Sequence, residues 1–149
     1  MRTYRIAVDG MGGDNGPKAV VEGVCRACEA GDLEILLAGD QEILEAELAR
    51  FPKVRQHIEI IHAPQSIPMD AKPKEIFDKY PDSSMIKAAE IVSTGQADAL
   101  ISAGNTGALI LASAQKIPRI KTVHRTALAA VYPTSNQLNR KDIFCLILD

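Results

Sequence analysis

The chain has 149 residues, of which 46% are hydrophobic and 24% charged, so it is long enough and apolar enough for one domain with a buried core. Its net charge of −2, without a basic patch, argues against nucleic acid as a partner. The longest apolar run, at 108–112, is far shorter than the ~18 residues of a membrane span, and no signal-peptide pattern opens the chain. The cytoplasm is therefore the expected location.

Three short apolar runs in the first part of the chain predict strands, and they lie at 4–8, 33–38 and 58–61. A helix is predicted after the first strand, with Gly16 at its N-cap, Pro17 at its first position and its end at about Ala30. A second helix is predicted to open at Gly39 and Asp40. The apolar spacing in that helix predicts a buried face made of Ile43, Leu44, Leu48 and Phe51.

The pattern changes between residues 63 and 82, where four prolines prevent a long helix and predict an irregular, functional loop. A helix capped by residues 82–84 follows and is expected to end at Gly95. The remaining predicted elements, in chain order, are a strand at 98–101, a polar loop at 102–107, a helix up to about Lys116, and strands at 127–132 and 143–148, the last of a buried type.

Strands that alternate with helices predict an α/β fold with a mostly parallel sheet and helices on both faces. In such a sheet, ligands bind beyond the carboxyl ends of the strands. Polar and glycine-rich segments follow four of the predicted strands, at 9–16, 39–40, 62 onward and 102–107. The agreement among these four segments predicts a binding site at that edge of the sheet.

The three cysteines are predicted to be packing residues. Cys25 and Cys28 form a Cys-x-x-Cys pattern, but both fall inside a predicted helix, whereas a redox pair needs its first thiol at a helix N-terminus. No second pair is present to complete a zinc site. Cys145 lies in an apolar strand-like run and is expected to be buried in the same way.

The loop at 102–107 joins a predicted strand to a predicted helix and contains two glycines with Ser102, Asn105 and Thr106. Such a junction brings backbone N–H groups and short polar side chains to the positive end of a helix dipole, which suits phosphate or a developing oxyanion. The alternative is that the three polar residues only cap the helix. Ser102 has no recognisable base and the cysteines look buried, which favours direct attack by an external nucleophile over an enzyme-bound intermediate.

The glycine-rich loop after the first strand does not match the dinucleotide pattern Gly-x-Gly-x-x-Gly, because residue 15 is Asn. Asp9 and Asp14 either make the turn there or orient a cation or another loop. His62, at the end of the third strand, is either structural or part of the site. Arg125, beside a histidine, is either a phosphate contact or a solvated surface residue.

Four blocks of the sequence, in order, resemble the PlsX family, the acyl-carrier-protein-linked phosphate acyltransferases of bacterial phospholipid synthesis. They are IAVDGMGGDNGP at 6–17, DSSM at 82–85, ADALISAGNTGAL at 97–109, and Arg125 with Leu128-Ala-Ala and Pro133-Thr134. Together they span almost the whole chain.

The resemblance implies the fold of phosphate acetyltransferases and isocitrate-type dehydrogenases. It also implies that an acyl group passes from an acyl-carrier-protein thioester to inorganic phosphate, without a metal or organic cofactor. A homodimer, and association with a membrane glycerol-phosphate acyltransferase that would place the protein beside the membrane, are further expectations. The expected catalytic residues are Asn105, Thr106 and Ser102, and the expected phosphate or substrate contacts are Gly12, Gly13, Asp14, Gly104, Gly107, Lys72 and Arg125.

The sequence also departs from the family pattern. Gly10 replaces Ala, Asn15 replaces His, Thr126 replaces Pro, and residues 76–80 are less basic. The family continues beyond residue 149 with roughly as much chain again, so residues 1–149 are expected to be the N-terminal α/β half, without the C-terminal half. The alternatives are a non-catalytic phosphate-binding or interaction remnant, which an exposed apolar edge near 143–148 would favour, and a phosphate acyltransferase that uses coenzyme A.

Overall fold

The computed structural model describes residues 3–124, 129–133 and 144–148, and the chain divides into two compact units, 1–118 and 119–149. The strands of the first unit are β1 (Tyr4–Asp9), β2 (Leu33–Gly39), β3 (Ile58–His62) and β4 (Ala99–Ile101). Its helices are α1 (Gly16–Ala30), α2 (Gln41–Leu48), α3 (Ile76–Lys79), α4 (Ser84–Ser93) and α5 (Thr106–Lys116), with 3₁₀ turns at Arg55–His57 and Pro73–Glu75. The second unit contains β5 (Ala129–Pro133) and β6 (Phe144–Leu148), which pair antiparallel.

The first unit is built on a four-stranded parallel sheet in the order β3-β2-β1-β4. The chain moves outward from β1 through β2 to β3 and then returns to the other side of β1, where it forms β4. The sheet therefore has its topological switch point between β1 and β4, and ligands of open α/β sheets bind beyond the carboxyl ends of the strands at such a point. The predicted mostly parallel α/β fold is confirmed for this unit.

Helices cover both faces of this sheet because the β1 and β2 side chains alternate between two apolar layers. On one face, Val8 and Leu37 belong to a core cluster that includes residues of α1 and α2. On the other face, Ala7 and Leu36 pack with residues of α4. A third cluster joins α4 to α5 and the short α3.

The cysteine predictions are confirmed in α1 and wrong in β6. Cys25 is fully buried in the core beneath α1, and Cys28 packs against the same cluster. Cys145 is exposed, as are its neighbours Leu146, Ile147 and Leu148. Within its unit, β6 pairs with β5 alone among the described strands, and a two-stranded sheet covers little side-chain surface.

Two details of the predicted helices need correction. Ile43 was expected to be buried in α2, but 44% of it is exposed while Leu44 and Leu48 are buried. Leu44 and Leu48, which are four residues apart, face the sheet, and Ile43 lies about 100° around the helix from Leu44. The N-cap of α1 is Asn15 rather than Gly16, which is the first helical residue and has φ of +56°.

The irregular segment from residue 63 to 83 is confirmed in outline, and it contains α3 and one 3₁₀ turn. Its two ends meet where Gln65 forms an isolated bridge with Ser83, and α4 starts at the next residue. Ile67 and Ile76 attach the segment to the core cluster that contains residues of α4 and α5. In the described part of the chain, no helix is long and apolar enough to span a bilayer.

Candidate functional site at the switch point

The two loops that leave the sheet at its switch point start side by side. Val8 of β1 pairs with Ile101 of β4, so the β1–α1 loop and the β4–α5 loop begin at the same edge of the sheet. The backbones of these loops touch at two glycines: a β-carbon on Gly12 would lie 2.9 Å from the nitrogen of Gly104. Real β-carbons almost never approach so closely, so glycine at residue 12 permits this contact.

Asp9 lies beneath this contact and is the most highly connected side chain of the site. It is 2% exposed. Ser102 Oγ donates to its Oδ2 over 2.7 Å, and Ser84 Oγ donates to its Oδ1 over 2.6 Å. The backbone N–H of Met11 also donates to Oδ1, at 3.3 Å. Every contact of the carboxyl group is thus with a donor, which is the pattern that an ionised carboxylate satisfies.

Ser102 is oriented by this carboxylate. Its only proton points to Asp9, and its oxygen accepts a hydrogen bond from the N–H of Gly104 over 3.0 Å. The sequence suggested no partner for Ser102, whereas the structure gives it a carboxylate 93 residues away. A hydroxyl group committed in this way has no proton left for a substrate.

Asn105 forms the N-cap of α5 and also holds a distant segment. Its Oδ1 accepts from the N–H of Ala108 over 3.0 Å, so the capping interpretation of this residue is confirmed. Its Nδ2 donates to the carbonyl oxygens of Met69 at 2.8 Å and Ala71 at 3.0 Å. These contacts tie the 63–83 segment to the start of α5.

Thr106 and Gly107 are among the residues at this edge whose donors remain available, as are Gly12 and Gly13 in the part of the chain that the structure describes. Thr106 and Gly107 open α5, and within the described residues their N–H groups have no acceptor. Thr106 is exposed, and its hydroxyl group likewise lacks a partner in the part of the chain that the structure describes. The positive end of the helix dipole adds to the potential at this position, which is favourable for an anion.

Comparison with known proteins supports the sequence motifs. A family model described as "Fatty acid synthesis protein" matches residues 4–149. The chain belongs to this family, the PlsX family.

Several relatives of this PlsX-family chain carry the name phosphate acyltransferase. One from Clostridium kluyveri is 43% identical over 131 residues, which are 88% of this chain and 39% of the relative. One from Streptococcus uberis is 43% identical over 89% of this chain and 39% of its own, and one from Oleidesulfovibrio alaskensis is 40% identical over 97% and 40%. The chain therefore spans about two-fifths of the length of these relatives.

The other predicted site residues of the PlsX-family chain lie at differing distances from this centre. Gly13 follows Gly12 in the same loop with φ of +98°, and Asp14 is exposed next to it. The side chain of Lys72 is 82% exposed and 4.0 Å from Glu75, on the segment that Asn105 holds. Arg125 lies outside the described residues.

His62 makes a structural contact. The Nδ1 atom of His62 accepts from the N–H of Gln41 at 3.3 Å, which helps to cap α2. No group of three or more His, Cys, Asp or Glu residues with the geometry of a metal site occurs among the described residues. The sequence suggests for Asp9 only a role in the turn or in orienting a cation or another loop, and not its contacts with Ser84 and Ser102. The sequence feature that could have identified it is a carboxylate at the end of a buried strand, directly before a run of glycines.

Proposed function

We propose that this chain forms part of an enzyme that transfers a fatty acyl group from acyl-carrier protein to inorganic phosphate, giving acyl phosphate for phospholipid synthesis. The observation that carries the proposal is the pair of unused N–H groups at Thr106 and Gly107, which begin a helix at the switch point of the sheet. The name phosphate acyltransferase that the relatives carry supports phosphate as a substrate class.

The proposed reaction needs only donors and correct placement. A phosphate oxygen forms a bond to the thioester carbonyl carbon, the bond from carbon to sulfur breaks, and the carrier thiolate leaves and takes a proton from solvent. Negative charge develops on the carbonyl oxygen during the attack, and one well-placed donor for such an oxyanion is worth roughly 10²–10³ in rate. Thr106 and Gly107 supply N–H groups for the phosphate or for this oxygen.

We retain direct attack by phosphate, although the structure gives Ser102 the carboxylate partner that the sequence did not reveal. Ser102 Oγ is engaged on both sides, because it donates to Asp9 and accepts from the N–H of Gly104, and we assign it to the framework of the two loops. The thiols of Cys25, which is buried, and Cys28, which is partly buried, pack in the core at α1 and not in the site. Phosphate is then the nucleophile, and Ser102 contributes by fixing the loop. Asn105 acts in the same way through its cap and its contacts with the 63–83 segment.

A second candidate is a phosphate-binding or interaction module without turnover. The observation that favours it is the apolar surface of β6, where Leu146, Ile147 and Leu148 are all exposed. Under this proposal the chain binds phosphate but forms no acyl phosphate.

The deciding experiment measures the incorporation of ³²P-labelled inorganic phosphate into acyl phosphate, which the thioester substrate cannot mimic. The chain is mixed with palmitoyl-carrier protein and phosphate, alone and with the separately expressed C-terminal part of the Clostridium kluyveri relative; palmitoyl-coenzyme A replaces the carrier protein in a parallel series. Product in either carrier-protein mixture supports the proposal. Product with coenzyme A alone favours the coenzyme A-linked alternative, and phosphate binding without product favours the module.

Thr106→Ala tests the site within that assay. It removes an exposed hydroxyl group at the start of α5, and we expect a weaker affinity for phosphate. Thr94→Ala is the matched control, because Thr94 is an exposed threonine at the C-terminal end of α4. Its hydroxyl group donates to the Glu90 carbonyl oxygen there. Equal phosphate affinity in the two variants would contradict the placement of phosphate at α5.

A further inference from the structure

We propose that Asp9 is a positioning residue, whose carboxylate sets the β4–α5 loop so that the N–H groups of Thr106 and Gly107 are placed for a phosphate anion. The role of the site rests on the proposed function, but the placement of the loop by Asp9 is tested separately. The argument uses the connectivity of Asp9, its close surroundings and its charge.

Asp9 connects three segments that are distant in sequence. It ends β1, accepts from Ser102 at the end of β4, and accepts from Ser84 in the first turn of α4. The two hydroxyl groups lie 75 and 93 residues from Asp9 along the chain. A carboxylate at the start of α4 is also favoured by the dipole of that helix.

The space around the carboxylate is closed by glycines of both loops. A β-carbon on Gly12 would lie 2.5 Å from Asp9 Oδ2, and one on Gly104 would lie 3.3 Å from the same atom and 2.9 Å from Met85 Cε. The two loops therefore close directly over the buried carboxylate. A change in its length or in its hydrogen bonds must move the loop that contains Gly104.

Two further hydrogen bonds connect this loop to the N–H groups of Thr106 and Gly107, which are proposed to bind the anion. Gly104 donates to Ser102, and Asn105 immediately caps α5 through Ala108. The direction in which α5 leaves the sheet is therefore set at Asn105, three residues after Ser102, whose hydroxyl group Asp9 holds. Thr106 and Gly107, the first residues of α5, take their places from that cap.

The negative charge of Asp9 and its effect on the position of the loop change the affinity for phosphate in opposite directions. Substitutions at Asp9 can therefore distinguish the two. A buried negative charge near an anion site opposes anion binding, so its removal alone must strengthen the binding of phosphate. If Asp9 instead acts through position, its removal must weaken binding. Asp9→Asn removes the charge but keeps the shape and an acceptor, whereas Asp9→Ala removes all three.

The experiment titrates inorganic phosphate into the ¹⁵N-labelled chain and follows the amide signals of Gly104, Thr106 and Gly107. We expect Asp9→Ala to shift these signals before any phosphate is added and to weaken phosphate binding about tenfold. Asp9→Asn keeps one of the two acceptor oxygens and should bind phosphate more tightly than Asp9→Ala. Asp40→Asn is the charge-matched control, because Asp40 caps α2 at the same sheet edge and Asn is an equally good cap.

Unmoved loop amides in Asp9→Ala, or tighter phosphate binding by that variant, would overturn the positioning role. If the unsubstituted chain does not respond to phosphate, the proposed function fails at this site, while the amide shifts still decide what Asp9 does. If Asp9→Ala does not fold, Ser84→Ala and Ser102→Ala are combined in a double-mutant cycle on the free energy of unfolding. Their coupling through Asp9 supports the proposal, and additive effects overturn it.

Discussion

The side-chain amide of Asn105 donates a hydrogen bond to the carbonyl oxygen of Met69 over 2.8 Å, while its own oxygen caps α5. One short side chain thus joins the start of a helix to a segment 36 residues earlier. The 63–83 segment also buries Ile67 and Ile76 in the core, so the contacts of Asn105 add to this apolar anchoring.

Substitutions at Asn105 separate its two roles. Asn105→Asp keeps the cap oxygen but replaces the two donors to Met69 and Ala71 with an acceptor, so we expect the 63–75 region to loosen while α5 stays formed. Asn105→Ala also loses the cap, which costs about 1 kcal/mol in the free energy of unfolding. Both variants should bind phosphate more weakly, Asn105→Asp because it adds a negative charge at the site.

Hydrogen exchange of the 69–75 amides and thermal unfolding measure the two effects. Faster exchange in Asn105→Asp, without a change in the α5 amides, is the expected result. Unchanged phosphate affinity in Asn105→Ala would remove this residue from the site.

Gly107 and Pro73 form a second contact between the same segments. A β-carbon on Gly107 would lie 2.6 Å from Pro73 Cγ, so Gly107→Ala must push the Pro73 ring or tilt the first turn of α5. We expect a loss of about 1–3 kcal/mol in the free energy of unfolding. The control is Gly23→Ala, which lies inside α1 with nothing near its β-carbon and should gain about 0.5–1 kcal/mol.

Restoration of stability by Pro73→Ala in the Gly107→Ala background would identify the contact as the cause. Chemical denaturation of the four chains provides the measurement. A double variant no more stable than Gly107→Ala would mean that the strain lies elsewhere in α5.

Local patterns were sufficient for the four strands and the four longer helices of the first unit, whereas the four-residue α3 and the 3₁₀ turns were not predicted. The N-cap at Asn105 was also recognisable, since a polar residue before an apolar run is a local signal. Ile43 was misassigned because a short helix allows two adjacent apolar stripes, and only the packed sheet selects the stripe of Leu44 and Leu48. Element type is thus encoded nearby in sequence, whereas the buried face is decided by packing.

The centre of the candidate site depends on information that is not local. Ser102 meets Asp9 only because β4 returns to the side of β1 opposite β2, and strand order is not visible in a single sequence. The contacts of Asn105 with the 63–83 segment could not be predicted either, because that segment lacks a periodic pattern from which its position could be inferred. Cys145 was placed in a buried strand from its apolar neighbours, but burial of a strand depends on what covers it.

The thiols are expected to react in the order Cys145, Cys28, Cys25. Cys145 is exposed, whereas burial, together with the nearby Cys28 and Glu29, raises the pKa of Cys25 to about 11. Iodoacetamide and mass spectrometry of the native chain measure the rates, with Cys145→Ser to show which modification is fast. Rapid alkylation of Cys25 in the folded chain would contradict its burial.

The raised pKa of Cys25 also predicts a loss of stability at high pH. The folded state holds the thiol proton more tightly than the unfolded state, so this contribution is complete below the unfolded pKa near 9 and is lost as pH rises towards about 11. Cys25→Ala should flatten the fall in the free energy of unfolding over that interval. An unchanged slope in the variant would assign the loss to other groups.

The lowered pKa of Glu90 predicts a loss of stability at low pH. Lys116 Nζ donates to its Oε1 over 2.8 Å, and this hydrogen bond, with a further contribution from Lys87, holds the pKa of Glu90 below its usual range. A lowered carboxyl pKa stabilises the folded state above the unfolded pKa, and the contribution disappears as pH falls through the folded value.

The Glu90–Lys116 pair is partly exposed, so we expect it to contribute less than ~1 kcal/mol to the free energy of unfolding. Lys116→Met should reduce the loss of stability as pH falls below the usual pKa of a glutamate, as measured by urea denaturation. Glu47→Gln is the control, since Glu47 forms a partly exposed pair with Arg50 at the end of α2, and an equal change in both variants would show that the Glu90–Lys116 pair has no special role.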